Sequence, residues 1–212
     1  MTSIEALEWR YACKKFDDQR LVSEVIIEKL KHAFNLTATS YGLQPVKLVI
    51  IQNKDLQNEL LPVSMNQKQI IQASHLFLLC THINIDENYI NTFFDRLIEQ
   101  RGTPASVLAG FRAAVLAEFG AKSQKDIDLW AAKQAYLALG NLLTVCAIEG
   151  VDACPMEGFL PNEYDQILTL KSQGLRSVLL MPIGYRADDD PFANMVKVRK
   201  SIDESVLQIN QL

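Results

Sequence analysis

KDIDLWAAKQAYLALGNLLTVCAIEG, residues 125–150, is the stretch whose reading sets the fold class. Leu129, Ala132, Ala135, Tyr136, Leu139, Leu142, Leu143 and Ala147 recur at helical spacing and cover a broad apolar face. Gly150 fits the left-handed position that ends such a helix. Charge is sparse from Gln134 to Ile148, so a helix over 125–149 must be buried widely. It is either the central helix of the domain or part of a subunit interface.

Working outward, the downstream chain predicts a short strand over 151–154, a helix over 162–169 after Pro161, and a strand over 175–184 (LRSVLLMPIG). The acidic loop Asp188–Asp189–Asp190–Pro191 interrupts structure. The tail 201–212 carries Ile202, Val206, Leu207 and Ile209, and is too apolar to stay free, so it is expected to dock. Upstream, helices are predicted over 86–101 and 104–120, punctuated by Gly102 and Pro104. HLFLLCT (75–81) reads as a buried strand and VKLVIIQ (46–52) as another. Further helices are predicted over 67–73, 54–61, 23–35 (with Ser23 as N-cap) and 3–12. Without repeats or linkers, residues 1–212 read as one α+β domain with more helix than strand.

A chain of 212 residues supports one domain with a sizeable core. A net charge of −4 gives no bulk electrostatic reason to expect nucleic acid. No apolar run reaches the ~20 residues of a membrane span, and Glu5 and Glu8 stand where an export signal would be apolar. Cys13, Cys80, Cys146 and Cys154 form no C-x-x-C pair, and Cys80 and Cys146 lie in apolar segments. They read as reduced core thiols of a cytoplasmic protein, without disulfides or a metal site. His32, His75 and His82 are read as structural; His75 and His82, seven apart on a strand, cannot share a metal.

Three features have the chemistry to hold a ligand. Arg10, Lys14 and Lys15 cluster near the start, and Lys197, Arg199 and Lys200 near the end. Such pairs can assemble a phosphate site from distant segments, Arg offering a planar fork of donors and Lys a point charge. On charge alone, solvated surface patches explain them as well. Pro155–Met156–Glu157–Gly158 can bring backbone N–H groups against a flat ligand, or be an ordinary turn. Residues 37–45 (TATSYGLQP) form a loop of small and hydroxyl residues able to bind a polar ligand, or simply to turn. A G-x-G-x-x-G dinucleotide fingerprint and a phosphate-binding Walker loop are absent from the sequence.

Taken in order, these segments resemble the FMN-dependent nitroreductase family, in particular the oxygen-insensitive NAD(P)H nitroreductase and dihydropteridine reductase type, over nearly the whole chain. Arg10-Tyr11-Ala12-Cys13-Lys14-Lys15-Phe16 is similar to the family's R-x-S-x-(K/R)-x-F start. Thr39–Ser40 with Gln44–Pro45 is similar to its S-S-x-N-x-Q-P-W loop. Asn66-Gln67-Lys68-Gln69 ahead of Ala73-Ser74-His75, the long helix, Pro155-Met156-Glu157-Gly158-Phe159, Pro182–Tyr185 and Lys197-Val198-Arg199 complete the pattern.

The resemblance implies an intertwined homodimer with a central, mainly antiparallel sheet surrounded by helices, and FMN at the subunit interface. It implies that Arg10, Lys197 and Arg199 hold the phosphate and ribityl chain, that Lys14 lies near the pyrimidine edge, and that Asn66 and Gln69 bond the ring or ribityl hydroxyls. Backbone groups at Glu157 and Gly158 would reach N5, while Thr39, Ser40 and Gly42 would come from the partner. Tyr11, Ala12 and Met156 fall inside the same cofactor-binding motifs. Ala12 stands in place of a usual Ser, Gly42 of Asn, Val46 of Trp and Gln69 of Lys.

The implied reaction takes hydride from NADH or NADPH and reduces nitroaromatics, quinones or similar small acceptors by ping-pong turnover. No side chain is required as acid or base. Pteridine, enone or halogenated aromatic acceptors, and a flavin-binding dimer without turnover, are the alternatives. The segment 86–125 should cover the flavin, with Phe93, Phe94, Phe111 and Phe119 as candidate lining.

Overall fold

A computed structural model describes residues 1–209. Its helices and strands follow in the order α1 (Ser3–Trp9), α2 (Glu24–Asn35), β1 (Val46–Ile51), α3 (Lys54–Leu60), α4 (Gln69–Gln72), β2 (His75–His82), α5 (Glu87–Arg101), α6 (Ala105–Ala121), α7 (Gln124–Ile148), β3 (Asp152–Ala153), α8 (Pro161–Ile167), β4 (Leu175–Gly184) and α9 (Ile202–Ser205). The strands form one sheet in the order β1-β2-β4-β3, every pairing antiparallel. This is the α+β architecture expected from the sequence.

β2 explains why the sheet must be covered on both faces. Leu76, Leu78 and Cys80 point into a cluster with Phe16, Ile70, Met156, Tyr164 and Leu180. The alternate residues Phe77 and Leu79 point into a second cluster with Ile27 and Leu30 of α2 and Ala135, Ala138, Leu142 and Cys146 of α7. A strand buried on both faces needs the near-continuous apolar run that its sequence shows. A third cluster, with Ile90, Phe94, Val115, Phe119 and Ile127, holds the α5–α6 hairpin against the start of α7.

α7 departs from the single apolar face expected of it. Ala135, Ala138, Leu139, Leu142 and Cys146 are buried in the cluster on the sheet, and Ala131 against the α5–α6 hairpin. Leu129, Tyr136, Leu137 and Ile148 are exposed on the other side. The helix has two apolar sides, which periodicity alone merges into one. It is also long and apolar enough to cross a membrane by length and composition, contrary to the sequence reading. Here it packs on the sheet.

The first helix ends at Trp9 and not at residue 12. Arg10 takes extended backbone, with φ −72° and ψ 144°. From there the chain joins the sheet edge: Ala12 bridges Ala153, Cys13 N–H donates to the Ala153 carbonyl at 3.3 Å, and Phe16 bridges Arg186. Gly184 is needed at this crossing, because a Cβ there would stand 2.9 Å from the Phe16 ring and 3.2 Å from Ser74 N.

In the expected docking segment 201–212, Ile202, Val206, Leu207 and Ile209 are exposed within the single chain. Residues 210–212 of that expected segment lie outside the described residues.

Candidate functional site

The basic residues at the two ends of the chain meet. Lys197 Nζ donates to the carbonyls of Leu7, Glu8 and Arg10, which are the open carbonyls at the C-terminal end of α1. Arg10 is pulled below its ordinary pKa by burial and then by the positive charge of Arg199. Lys197 is lowered by burial, then by Arg10 and Arg199. Among the described residues, none of these three cations forms an ion pair. The Glu8 carboxylate opposes the shift at Lys197 without pairing with it, so three like charges lie together with only partial compensation. The Arg10 and Arg199 guanidinium forks suit a phosphate, while the Lys197 ammonium, its donors taken up by the three carbonyls, adds its charge, and one Arg199 donor goes to the Val198 carbonyl.

Lys14 continues the same surface. Its Nζ is 3.8 Å from Cys154 Sγ, and among the described residues it too forms no ion pair. Burial pushes the Cys154 thiol up, against the opposing charges of Lys14 and Arg10. Lys15 turns the other way and pairs with Asp189.

The backbone of this segment is held by Asp190, which sequence reading left inside an acidic interruption. Asp190 is buried, and Oδ2 accepts from Tyr11 OH at 2.8 Å, Lys14 N at 3.0 Å and Lys15 N at 3.3 Å. Oδ1 accepts from Phe192 N at 3.0 Å. Burial acts to raise its pKa, but the bonds from Phe192, Tyr11, Lys14 and Lys15 prevail and hold it below the usual carboxylate range. The Asp190–Pro191 dipeptide signals the local Asx turn. Nothing local signals the partners at residues 11, 14 and 15.

A second anchor also went unread. Arg186 forms an ion pair with buried Asp152, and its guanidinium lies 4.2 Å over the Trp9 ring and 4.6 Å over Tyr11. The Tyr11 side chain is therefore committed to Asp190 and Arg186. Ala12, committed to the bridge with Ala153, offers no side-chain donor.

The turn after β3 meets the loop before α4. Met156 exchanges both backbone hydrogen bonds with Leu180. The N–H groups of Glu157 and Gly158 have no acceptor among the described residues. Gly158 lies against Gln67, whose Nε2 donates to the Gly158 carbonyl at 2.8 Å and would be 3.0 Å from a Cβ. Met65 and Asn66 take left-handed backbone, φ 55° and 52°. The side-chain amides of exposed Asn66 and buried Gln69 make no hydrogen bond among the described residues. Free N–H groups and idle amides along one surface fit a flat polar ring.

The 37–45 loop is not brought to this surface within one chain. Ser40 N–H donates to Gln134 Oε1 at 2.9 Å, whereas Glu157 accepts from Tyr136 OH. Gln134 and Tyr136 are two residues apart, about 200° around the helix, so loop and turn lie on opposite sides of α7. Gly42, with φ +74°, sits against Phe93, whose ring would be 3.2 Å from a Cβ. Beside this loop is a cavity of about 540 Å³ between α5 and α6, walled by Tyr41, Phe93 and Phe111. Phe94 and Phe119 are buried in the third cluster and do not line it. A polar cavity of about 560 Å³ adjoins it, with His82 and Tyr89 in its wall.

Solved structures share this fold. A provisionally named nitroreductase from Exiguobacterium sibiricum, solved in complex with FMN, superposes with a TM-score of 0.83 at 18% identity, covering 99% of this chain and 98% of its own. CLA-ER, an enone reductase of gut-bacterial fatty acid saturation, superposes with a TM-score of 0.80 at 14% identity, covering 98% of each chain. YfkO of Bacillus subtilis, provisionally named an NAD(P)H nitroreductase, is 32% identical over 218 residues, 96% of this chain and 95% of its own. A Staphylococcus aureus (strain N315) protein with the same provisional name is 32% identical over 199 residues, 90% of this chain and 89% of its own.

The chain has the α+β fold of these solved structures. The Nitroreductase family profile matches residues 7–185, and the chain belongs to that family.

Proposed function

We propose that this chain binds FMN, draws electrons from NADH or NADPH, and reduces nitroaromatics, quinones or related small acceptors. The observation that carries the reading is a cation cluster at Arg10, Lys197 and Arg199 that forms no ion pair among the described residues, together with the free N–H groups of Glu157 and Gly158. The name of YfkO and the FMN complex of the Exiguobacterium protein support it.

Bound FMN supplies the electron-transfer chemistry between nicotinamide and acceptor. Arg10, Lys197 and Arg199 neutralise its phosphate. Asn66 and Gln69 bond its ring or ribityl hydroxyls, and Lys14 favours negative charge at the pyrimidine edge. Glu157 and Gly158 present backbone donors on the N5 side, Glu157 being fixed by Tyr136. Tyr11, Ala12 and Met156 act through backbone and packing, because their groups are committed as described. Reduced nicotinamide and acceptor would use the same site in turn, for which ping-pong kinetics are expected.

The working unit is a homodimer, with residues 1–212 of each copy acting as one flavin-binding domain. Leu129, Leu137 and Ile148 leave the outer side of α7 apolar and open, with space above Gly140, and the extended tail shows a row of uncovered aliphatic residues. A partner on this side would bring its own Thr39, Ser40 and Gly42 to the flavin, which one chain cannot do. The four cysteines are free and buried, in keeping with a reducing cytoplasm.

The test is purification followed by spectroscopy. Yellow protein should bleach with NADH or NADPH and regain colour with nitrofurazone or menadione, with initial rates that give parallel double-reciprocal lines. Protein that stays oxidised in the presence of both reduced nicotinamides would overturn the reading.

A further inference from the structure

The cavity between the 39–44 loop and the α5–α6 hairpin has a charge pattern that the flavin reading does not use. Its walls are apolar and aromatic: Tyr41 and Phe111 lie with ring centroids 6.5 Å apart, and Phe93 closes the floor beneath Gly42. Arg96 and Arg101 are the charged residues lining it, with no carboxylate among the lining residues. Neither guanidinium has an ion-pair or hydrogen-bond partner among the described residues. Of the acids nearby, Asp86 shares the wall of the adjoining cavity with Arg96 and accepts from Tyr89 N–H at 2.9 Å. Asp95 pairs with Arg112, and Glu118 pairs with Lys122 while accepting from Tyr41 OH. Tyr89 OH, 3.0 Å from the Leu43 carbonyl and 2.9 Å from that of Gln44, ties the loop to α5 and keeps the cavity's shape.

Aromatic walls of this kind suit a flat ring, through stacked or edge contacts. Two idle guanidinium forks at the rim suit a carboxylate or sulfonate. We propose that this cavity selects electron acceptors that carry an anionic substituent on a planar ring, with Arg96 and Arg101 binding the anion. The proposal rests on the flavin reading above, since the cavity abuts the loop assigned to the flavin of the partner. It adds the substrate class and the residues that determine it.

The test compares 4-nitrobenzoate with 4-nitrobenzamide, two acceptors alike in shape that differ in charge. In the native enzyme the kcat/KM ratio should favour the carboxylate. Arg96→Gln or Arg101→Gln should lower that ratio about tenfold, as expected for the loss of one charge-assisted hydrogen bond. Arg112→Gln, whose side chain is engaged by Asp95 and Asn91, should leave the ratio unchanged.

A 2′-phosphate offers the same anionic chemistry, so KM for NADPH and NADH is measured alongside. If Arg96→Gln raises KM for NADPH alone and spares the acceptor ratio, the assignment to the acceptor is overturned. An unchanged ratio in both variants overturns it too. Calorimetry with benzoate and benzamide, neither of which is reduced, supplies a readout besides turnover. Benzoate should bind more tightly, and the difference should vanish in the double variant. Failure of the flavin reading would instead show as inability to oxidise NADH or NADPH with menadione.

Discussion

Replacing Asp190 with alanine removes the acceptor of a phenol, three backbone N–H groups and the Cys13 thiol, 3.5 Å from Oδ2. Tyr11 OH and the backbone N–H groups of Lys14, Lys15 and Phe192 all end on this buried carboxylate. A hydrogen bond to a charged group contributes about 1.5–3 kcal/mol, but water will reach some of the freed donors and the bonds are not additive. A loss of about 3–5 kcal/mol is therefore expected, comparable to breaking a buried charge network. The assay is urea denaturation of native and Asp190→Ala protein, both stripped of ligand, followed by circular dichroism. A pH series supplies a second reading. The folded-state pKa of Asp190 is depressed, because its donors outweigh burial. Its contribution is thus complete above the unfolded value of about 3.9 and fades as pH falls through the lower folded value. The gap between the two proteins should be constant above about pH 5 and narrow in acid. A gap under about 1 kcal/mol at neutral pH, or one that widens in acid, would refute the anchoring role.

Arg186→Ala should cost about 3–5 kcal/mol by thermal or urea melts, because it leaves Asp152 buried without its partner. Lys31→Ala, which breaks only exposed, solvent-screened pairs with Glu24 and Glu28, should leave the same melts nearly unchanged. Gly184→Ala should destabilise by about 1–3 kcal/mol, since the new Cβ meets the Phe16 ring and backbone at Ser74; an unchanged melting temperature would show that the crossing has slack. Leu142→Ala should cost about 2–5 kcal/mol from a cavity between α7 and the sheet, measured the same way.

Local signals carried the sequence reading a long way. The apolar runs of β2 and β4 announced buried strands, and Gly150 marked the end of α7 with its positive φ of 69°. Ser23 does begin α2, although its side chain makes no capping bond and its carbonyl accepts instead. The misses were contacts between distant segments. The helix at the start stops at Trp9 because the chain must enter the sheet edge beside Ala153, which no residue near position 10 reveals. Asp190 binds a segment more than 170 residues away. Gln134, a polar residue within an apolar helix, reads as a blemish until the Ser40 N–H is found on it. The cations Arg10, Lys197 and Arg199 were each legible as charge. Only the fold shows that they lie close enough to lower one another's pKa and that none of them forms an ion pair among the described residues.

The measurement closest to the central claim is a titration of ligand-free protein with FMN and, separately, with riboflavin, which lacks the phosphate. If Arg10, Lys197 and Arg199 form the phosphate site, FMN should bind at least about 100-fold more tightly, equivalent to about 2.8 kcal/mol. Arg199→Ala should shrink that ratio about tenfold while hardly moving riboflavin. Equal affinities for the two flavins, or no binding of either, would contradict the account.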